Sequence, residues 1–219
     1  QGVVARRFVH DERRLESQDH VPRGQDQEAR LPARRDEGRG RAGELDADQE
    51  TFAAHLADDV VGRWVDIITA RTYRHATVEA LAAHATVPVI NGLSDLEHPC
   101  QALADFFTLW ERGMDLGRIR LAWIGDGNNV CHSLLLLAAL LGTPLSVATP
   151  PGYAPHPAIQ ARARDLGGRP TLTTDPREAV EGADVVYTDV WISMGQEAER
   201  EQRLEAFARY QLNERLLGL

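Results

Sequence analysis

His98, Pro99, Cys100 and Gln101 stand at a polar corner of the sequence, after an apolar run at 87–90. Beyond them Leu103, Phe106, Phe107 and Trp110 recur at helical spacing, so a helix starting at this corner buries one face. Pro99 fits a first helical turn, where its missing N–H would have no intrahelical partner. His98 and Gln101 are three residues apart and project from one face at the helix's amino end. An imidazole and a carboxamide beside free backbone N–H groups suit a polar, anionic ligand. A capped helix with a solvent-facing histidine is the competing reading.

Other residues could join that chemistry. Arg71 follows an apolar run at 64–69 and can hold a phosphate oxygen or polarise a carbonyl, or be a plain surface charge. Gly125-Asp126-Gly127 invites a dinucleotide-binding reading, but the third glycine of that fingerprint would fall at Val130. No acidic residue lies about 20 positions further on to hold a ribose. Asn128 and Asn129 offer amide groups able to read a zwitterionic amino acid, or to cap a helix. Asp189 and Ser193 could bind an ammonium group, with Trp191 and Met194 as apolar walls, although both are common core residues. A metal held by His98, Cys100, Cys131 and His132 is rejected: neighbours on a helix point about 100° apart, awkward for one tetrahedral ion.

All 24 basic residues are arginine. Without lysine, Schiff-base catalysis and the phosphate-binding P-loop are excluded. A net charge of −9 argues against a nucleic-acid partner. The longest apolar segment, 134–141, falls far short of the roughly 18 residues of a membrane span, and no leader is expected. Two cysteines make no disulfide framework, which fits a reducing cytoplasm.

These residues need elements to position them. Residues 1–50 carry 22 of the 57 charged residues, without a strand or helix period. Such composition cannot bury enough surface to offset ordering entropy. Residues 1–55 are therefore read as a separate segment, disordered or translated from a shifted reading frame. Beyond it come a helix at 53–61, a strand at 64–69, a helix at 77–85 and a strand at 87–90. A helix at 98–113, a strand at 120–124, a helix at 130–141 stopped by Gly142, and a strand at 145–148 follow. A helix at 156–166, an edge strand at 171–173, a short helix capped by Asp175 with Pro176 at its first position, a strand at 184–188 and a helix at 197–207 complete the series. Sustained alternation implies α/β architecture with doubly wound parallel sheets. Ligands bind at the carboxyl ends of such strands, which selects the loops 70–74, 91–101, 125–132 and 189–195 for one composite site.

HPCQALADFFTL (98–109), WIGDGNN with CHS (123–133) and DVWISMGQE (189–197) together resemble ornithine carbamoyltransferases, over roughly 60–219. The resemblance implies two doubly wound parallel-sheet domains, the first incomplete here, at 56–105 and 106–219. It implies carbamoyl transfer from carbamoyl phosphate to the δ-amine of L-ornithine, giving citrulline and phosphate, with no metal or organic cofactor and a homotrimeric assembly. Arg71, His98 and Gln101 would contact carbamoyl phosphate, with Arg71 and His98 catalytic, while Asn129, Asp189, Ser193 and Met194 would bind ornithine. A fragment limited to ornithine binding, or a carbamoyltransferase for a related amine, is the alternative. The family's Ser-x-Arg-Thr-Arg phosphate loop has no counterpart in 1–59, and its His-Cys-Leu-Pro motif is expected just after residue 219.

Overall fold

The computed structural model describes residues 2–5, 65–192 and 196–218. Strand β2 (Ile68–Arg71), helix α1 (His75–His84) and strand β3 (Val89–Leu93) form a βαβ unit with parallel strands. Both strands run further than their apolar residues suggest. Ala70 pairs with Asn91, and after a register shift Arg71 pairs with Leu93. The backbone ladder thus carries the strands past Thr69 and Ile90 into polar sequence. Arg71 consequently ends a strand rather than sitting in a loop. Strand β2 alternates half-buried and exposed positions.

Helix α2 (Pro99–Glu111) leads out of this unit, with His98 as N-cap and Pro99 in its first turn. It runs unbroken through the expected domain boundary at 105/106, being one hydrogen-bonded element whose buried face is Ala102, Phe106 and Leu109.

The second unit is built on β4 (Leu121–Ile124), β5 (Leu145–Ala148), β6 (Thr171–Thr173) and β7 (Val185–Thr188), parallel in the order β7-β4-β5-β6. Helices α3 (Asn129–Leu141), α4 (Pro157–Asp165), α5 (Pro176–Val180), α6 (Arg200–Phe207) and α7 (Glu214–Leu217) surround it. Each residue of β4 is buried because both faces are covered. Leu121 and Trp123 enter one core with α2, α3 and α4, while Ala122 and Ile124 enter a second with α5, Phe207 and Tyr210. The helix expected at 197–207 opens as a 3-10 turn, Glu197–Glu199.

Residues Gly2–Ala5 form β1, antiparallel along the outer edge of β7. The segment 1–55, expected to be disordered or out of frame, thus contributes a strand at Gly2–Ala5: an edge strand's free N–H and C=O groups pair with a neighbour largely irrespective of its sequence. The remainder of 1–55, and the helix expected at 53–61, lie outside the described residues. Among the described residues no helix is long and apolar enough to cross a membrane.

The chain leaves β4 toward β5 and β6, then returns to place β7 on β4's other side. Their carboxyl ends therefore flank a topological switch point, where open α/β sheets bind ligands.

Candidate functional site

A cleft of about 840 Å³ opens where the two units meet. Arg71, His98 and Gln101 line one side; Asn128, Asn129 and Asp189 line the other. Five of the seven expected site residues are thus brought together. The other two, Ser193 and Met194, lie outside the described residues.

Arg71 is placed by the end of β2 and His98 by the cap of α2. The His98 backbone N–H donates to Ser133 Oγ (2.9 Å), fixing the helix start against α3. His98 Nδ1 is buried and has no hydrogen-bond partner among the described residues. Burial, then the Arg71 guanidinium, hold its pKa below the ordinary histidine value. A neutral imidazole beside a fixed cation can donate a hydrogen bond to an anion's oxygen without carrying charge itself. One turn on, Gln101 Nε2 donates to Asp105 Oδ1 (3.0 Å), which leaves Gln101 Oε1 available to an N–H of a ligand. Burial raises the Asp105 carboxyl, opposed by hydrogen bonds from Tyr187 and Gln101.

The opposite wall begins at the turn after β4. Gly127 N–H donates to Tyr153 O (2.9 Å). A Cβ on Gly127 would lie 2.3 Å from Pro155 N and 2.5 Å from Ala154 C, so only glycine allows this approach. Asn128 caps α3, its Oδ1 accepting from the Val130 and Cys131 N–H groups (3.1 Å each). Its Nδ2 donates to Asp189 Oδ2 (3.1 Å), joining the turn after β4 to the loop after β7. Capping and site-building are the same residue here. Asn129 is also engaged, Nδ2 donating to Ser94 O (2.7 Å) and Oδ1 accepting from Val130 N–H (3.0 Å).

For Trp191 the sequence allows either a wall of the site or a core residue. It stacks on Phe207 (6.1 Å between centroids) in the second core, because that face of α6 offers it an apolar bed. Beside it lies a pair the sequence reading missed. Arg203 reaches in from α6, donates from Nε to Trp191 O (2.6 Å) and pairs with Asp126. Its guanidinium also lies 5.0 Å from the Tyr153 ring centroid. The available signal was position: Arg203 is four residues before Phe207 and so on the buried face of α6. Burial raises the Asp126 carboxyl, opposed by the Arg203 charge.

Cys131 is wholly buried and its thiol pushed well above the usual range by burial, which makes it an inert core residue. Among the described residues no cluster of His, Cys, Asp or Glu could hold a metal ion.

Burial also lowers His132. Its unfolded form, with a pKa of 6.5, binds more protons than its folded form at pH values just beneath that. The stability it supports is complete above pH 6.5 and is lost as the pH falls toward the folded value. The urea midpoint should therefore drop on acidification from pH 7 to about 5.5. His132→Gln, which cannot titrate, should drop less over the same range.

The family model "Aspartate/ornithine carbamoyltransferase, carbamoyl-P binding domain" matches residues 41–111, and "Aspartate/ornithine carbamoyltransferase, Asp/Orn binding domain" matches 118–219. The first match starts within the segment that composition set apart, and the two divide beyond the end of α2. An ornithine carbamoyltransferase of Methanoculleus marisnigri is 54% identical over 159 residues, 73% of this chain and 52% of the relative. The ornithine carbamoyltransferase structure from Pyrococcus furiosus superposes with a TM-score of 0.69 at 47% identity, over 81% of this chain and 56% of that one. For the Thermus thermophilus structure of the same name the TM-score is 0.65 at 47% identity, covering 78% and 53%. The chain spans about half the length of the curated relatives it matches.

Proposed function

Because the chain belongs to the aspartate/ornithine carbamoyltransferase family, we propose that it acts in carbamoyl transfer from carbamoyl phosphate to the δ-amine of L-ornithine. The observation that carries this reading is the single cleft at the strand ends, with Arg71, His98 and Gln101 facing Asn128, Asn129 and Asp189. The cationic side suits a phosphorylated electrophile. The carboxylate and amide side suits an amino acid bearing two amines.

Arg71 binds a phosphate or carbonyl oxygen, neutral His98 donates to the carbonyl oxygen, and Gln101 Oε1 accepts from the carbamoyl NH2. Asp189, oriented by Asn128, attracts the ornithine ammonium, with Asn129, Ser193 and Met194 completing the amino-acid side. The δ-amine, with a pKa of about 10 like that of lysine, gives up a proton before its lone pair attacks the carbamoyl carbon. The new C–N bond pushes charge onto the carbonyl oxygen, where Arg71 and His98 stabilise it. Collapse breaks the C–O bond to phosphate, the departing phosphate takes the second proton from the attacking nitrogen, and phosphate and neutral citrulline are released. A homotrimer in the cytoplasm, in arginine metabolism and without nucleic-acid or membrane partners, completes the proposal.

Calorimetry with L-ornithine and with carbamoyl phosphate, together with a citrulline assay, tests it. Asp189→Asn should weaken ornithine by on the order of tenfold, the effect of losing one charge-assisted contact. His98→Ala should weaken carbamoyl phosphate and spare ornithine. No heat from either compound and no citrulline would defeat the reading.

A further inference from the structure

The segment 94–98, which delivers His98, is held by three residues in the first two turns of α3, and Ser133 Oγ also donates to Glu97 Oε2 (3.4 Å). Asn129 Nδ2 donates to Ser94 O (2.7 Å). His132 Nδ1 lies 2.7 Å from Leu96 O, a contact that requires the proton on Nδ1. Ser133 Oγ accepts from the His98 N–H (2.9 Å). Positions 129, 132 and 133 share one helical face, so a single rigid element makes the three bonds together. His132 has a second role: Nε2 accepts from the His156 N–H (2.9 Å), at the end of the turn that carries Tyr153 and Ala154 to the cleft. His132 is 6% exposed, and both ring nitrogens are thus committed. A lone donor and a lone acceptor, both buried and both used, is a demand that neutral imidazole meets in one tautomer only.

We propose that His132, with Asn129 and Ser133, is a positioning residue: a three-point clasp that sets where His98 stands relative to Asp189. The inference deepens the functional reading above, since it takes His98 as a substrate contact. The clasp spans the two units at the point where the cationic and anionic walls face each other. A shift of α2 by a fraction of a turn would move His98 away from Arg71, and catalytic geometry is sensitive to displacements of that size.

Three proteins separate the outcomes: the full chain, His132→Gln and His132→Leu. Glutamine keeps a donor and an acceptor, whereas leucine has neither. Amide exchange at 94–98 should rise on the order of tenfold or more in His132→Leu while β4 and β5 stay protected. It should stay within about threefold of the parent in His132→Gln. Carbamoyl phosphate affinity should follow the same order, with ornithine affinity less affected. Unchanged exchange at 94–98 in His132→Leu overturns the clasp. If His132→Leu loses protection throughout, Ser133→Ala decides: selective exposure of 94–98 supports the clasp, and unchanged exchange overturns it. If the parent chain binds no carbamoyl phosphate, the functional reading fails, and exchange still decides the clasp. A nitrogen-15 spectrum of His132 provides the readout that mere packing would not fix: one Nδ1–H tautomer is expected, and a tautomer mixture overturns the assignment.

Discussion

Arg203→Met should cost about 3–5 kcal/mol, the usual penalty for removing one member of a buried ion pair. The Arg203 and Asp126 side chains are 4% and 11% exposed, so Asp126 relies on Arg203 for its counter-charge. Methionine matches much of the arginine's apolar stem, and the loss therefore falls on the guanidinium's contacts. Asp126 keeps its desolvation and loses its counter-charge, the Trp191 carbonyl loses its donor, and Tyr153 loses the cation on its face. Urea denaturation followed by circular dichroism measures the effect. Adding Asp126→Asn to the variant should recover part of it by removing the orphaned charge. The pH dependence has a definite sign. Without Arg203, the Asp126 carboxyl rises further above its ordinary 3.8, so the folded state holds the proton at pH values where the unfolded state has released it. The deficit should therefore shrink as pH falls from 7 toward 5. A deficit independent of pH would place the loss in packing instead.

Gly127→Ala should be comparably damaging, at about 3 kcal/mol. The atoms that a methyl would strike are backbone: Pro155 N at 2.3 Å, Ala154 C at 2.5 Å and Tyr153 O at 2.6 Å. Flexible side chains can step aside, but here two turns must separate. Separation breaks the Gly127 N–H to Tyr153 O bond and displaces Asn128, the link to Asp189. Under the proposed function the variant should therefore lose ornithine affinity as well as stability. Gly142→Ala makes a useful contrast. At φ 69° it carries backbone strain but meets nothing within 4 Å, so its smaller cost should leave the cleft intact.

Much of this arrangement is legible in the sequence where one physical demand dominates. The strand at 145–148 and the edge strand at 171–173 stand where expected, and Asp175 caps α5, accepting from Arg177 N–H (2.9 Å). The strand ends at Arg71 and Leu93 are less legible because pairing between distant segments, rather than residue type, extends them. Strand-end logic selects the loops that form the cleft before any contact is known. It cannot show which polar atoms are spent on structure. Asn128 and Asn129 look equivalent in sequence; one reaches Asp189 and the other Ser94, a choice made by tertiary packing. The Arg203–Asp126 pair joins residues 77 positions apart, a distance that local pattern does not bridge.

The interior position of Trp123 gives the cleft an optical reporter. Its indole is wholly buried, stacks on Tyr187 at 5.1 Å and donates from Nε1 to Asp126 O (3.0 Å). The chromophore is therefore wired to the turn that carries Asn128. When a ligand tightens that turn, the indole's emission wavelength and its energy transfer from Tyr187 should respond, although no solute touches the ring. Occupancy of the anionic wall becomes readable as colour, without a label.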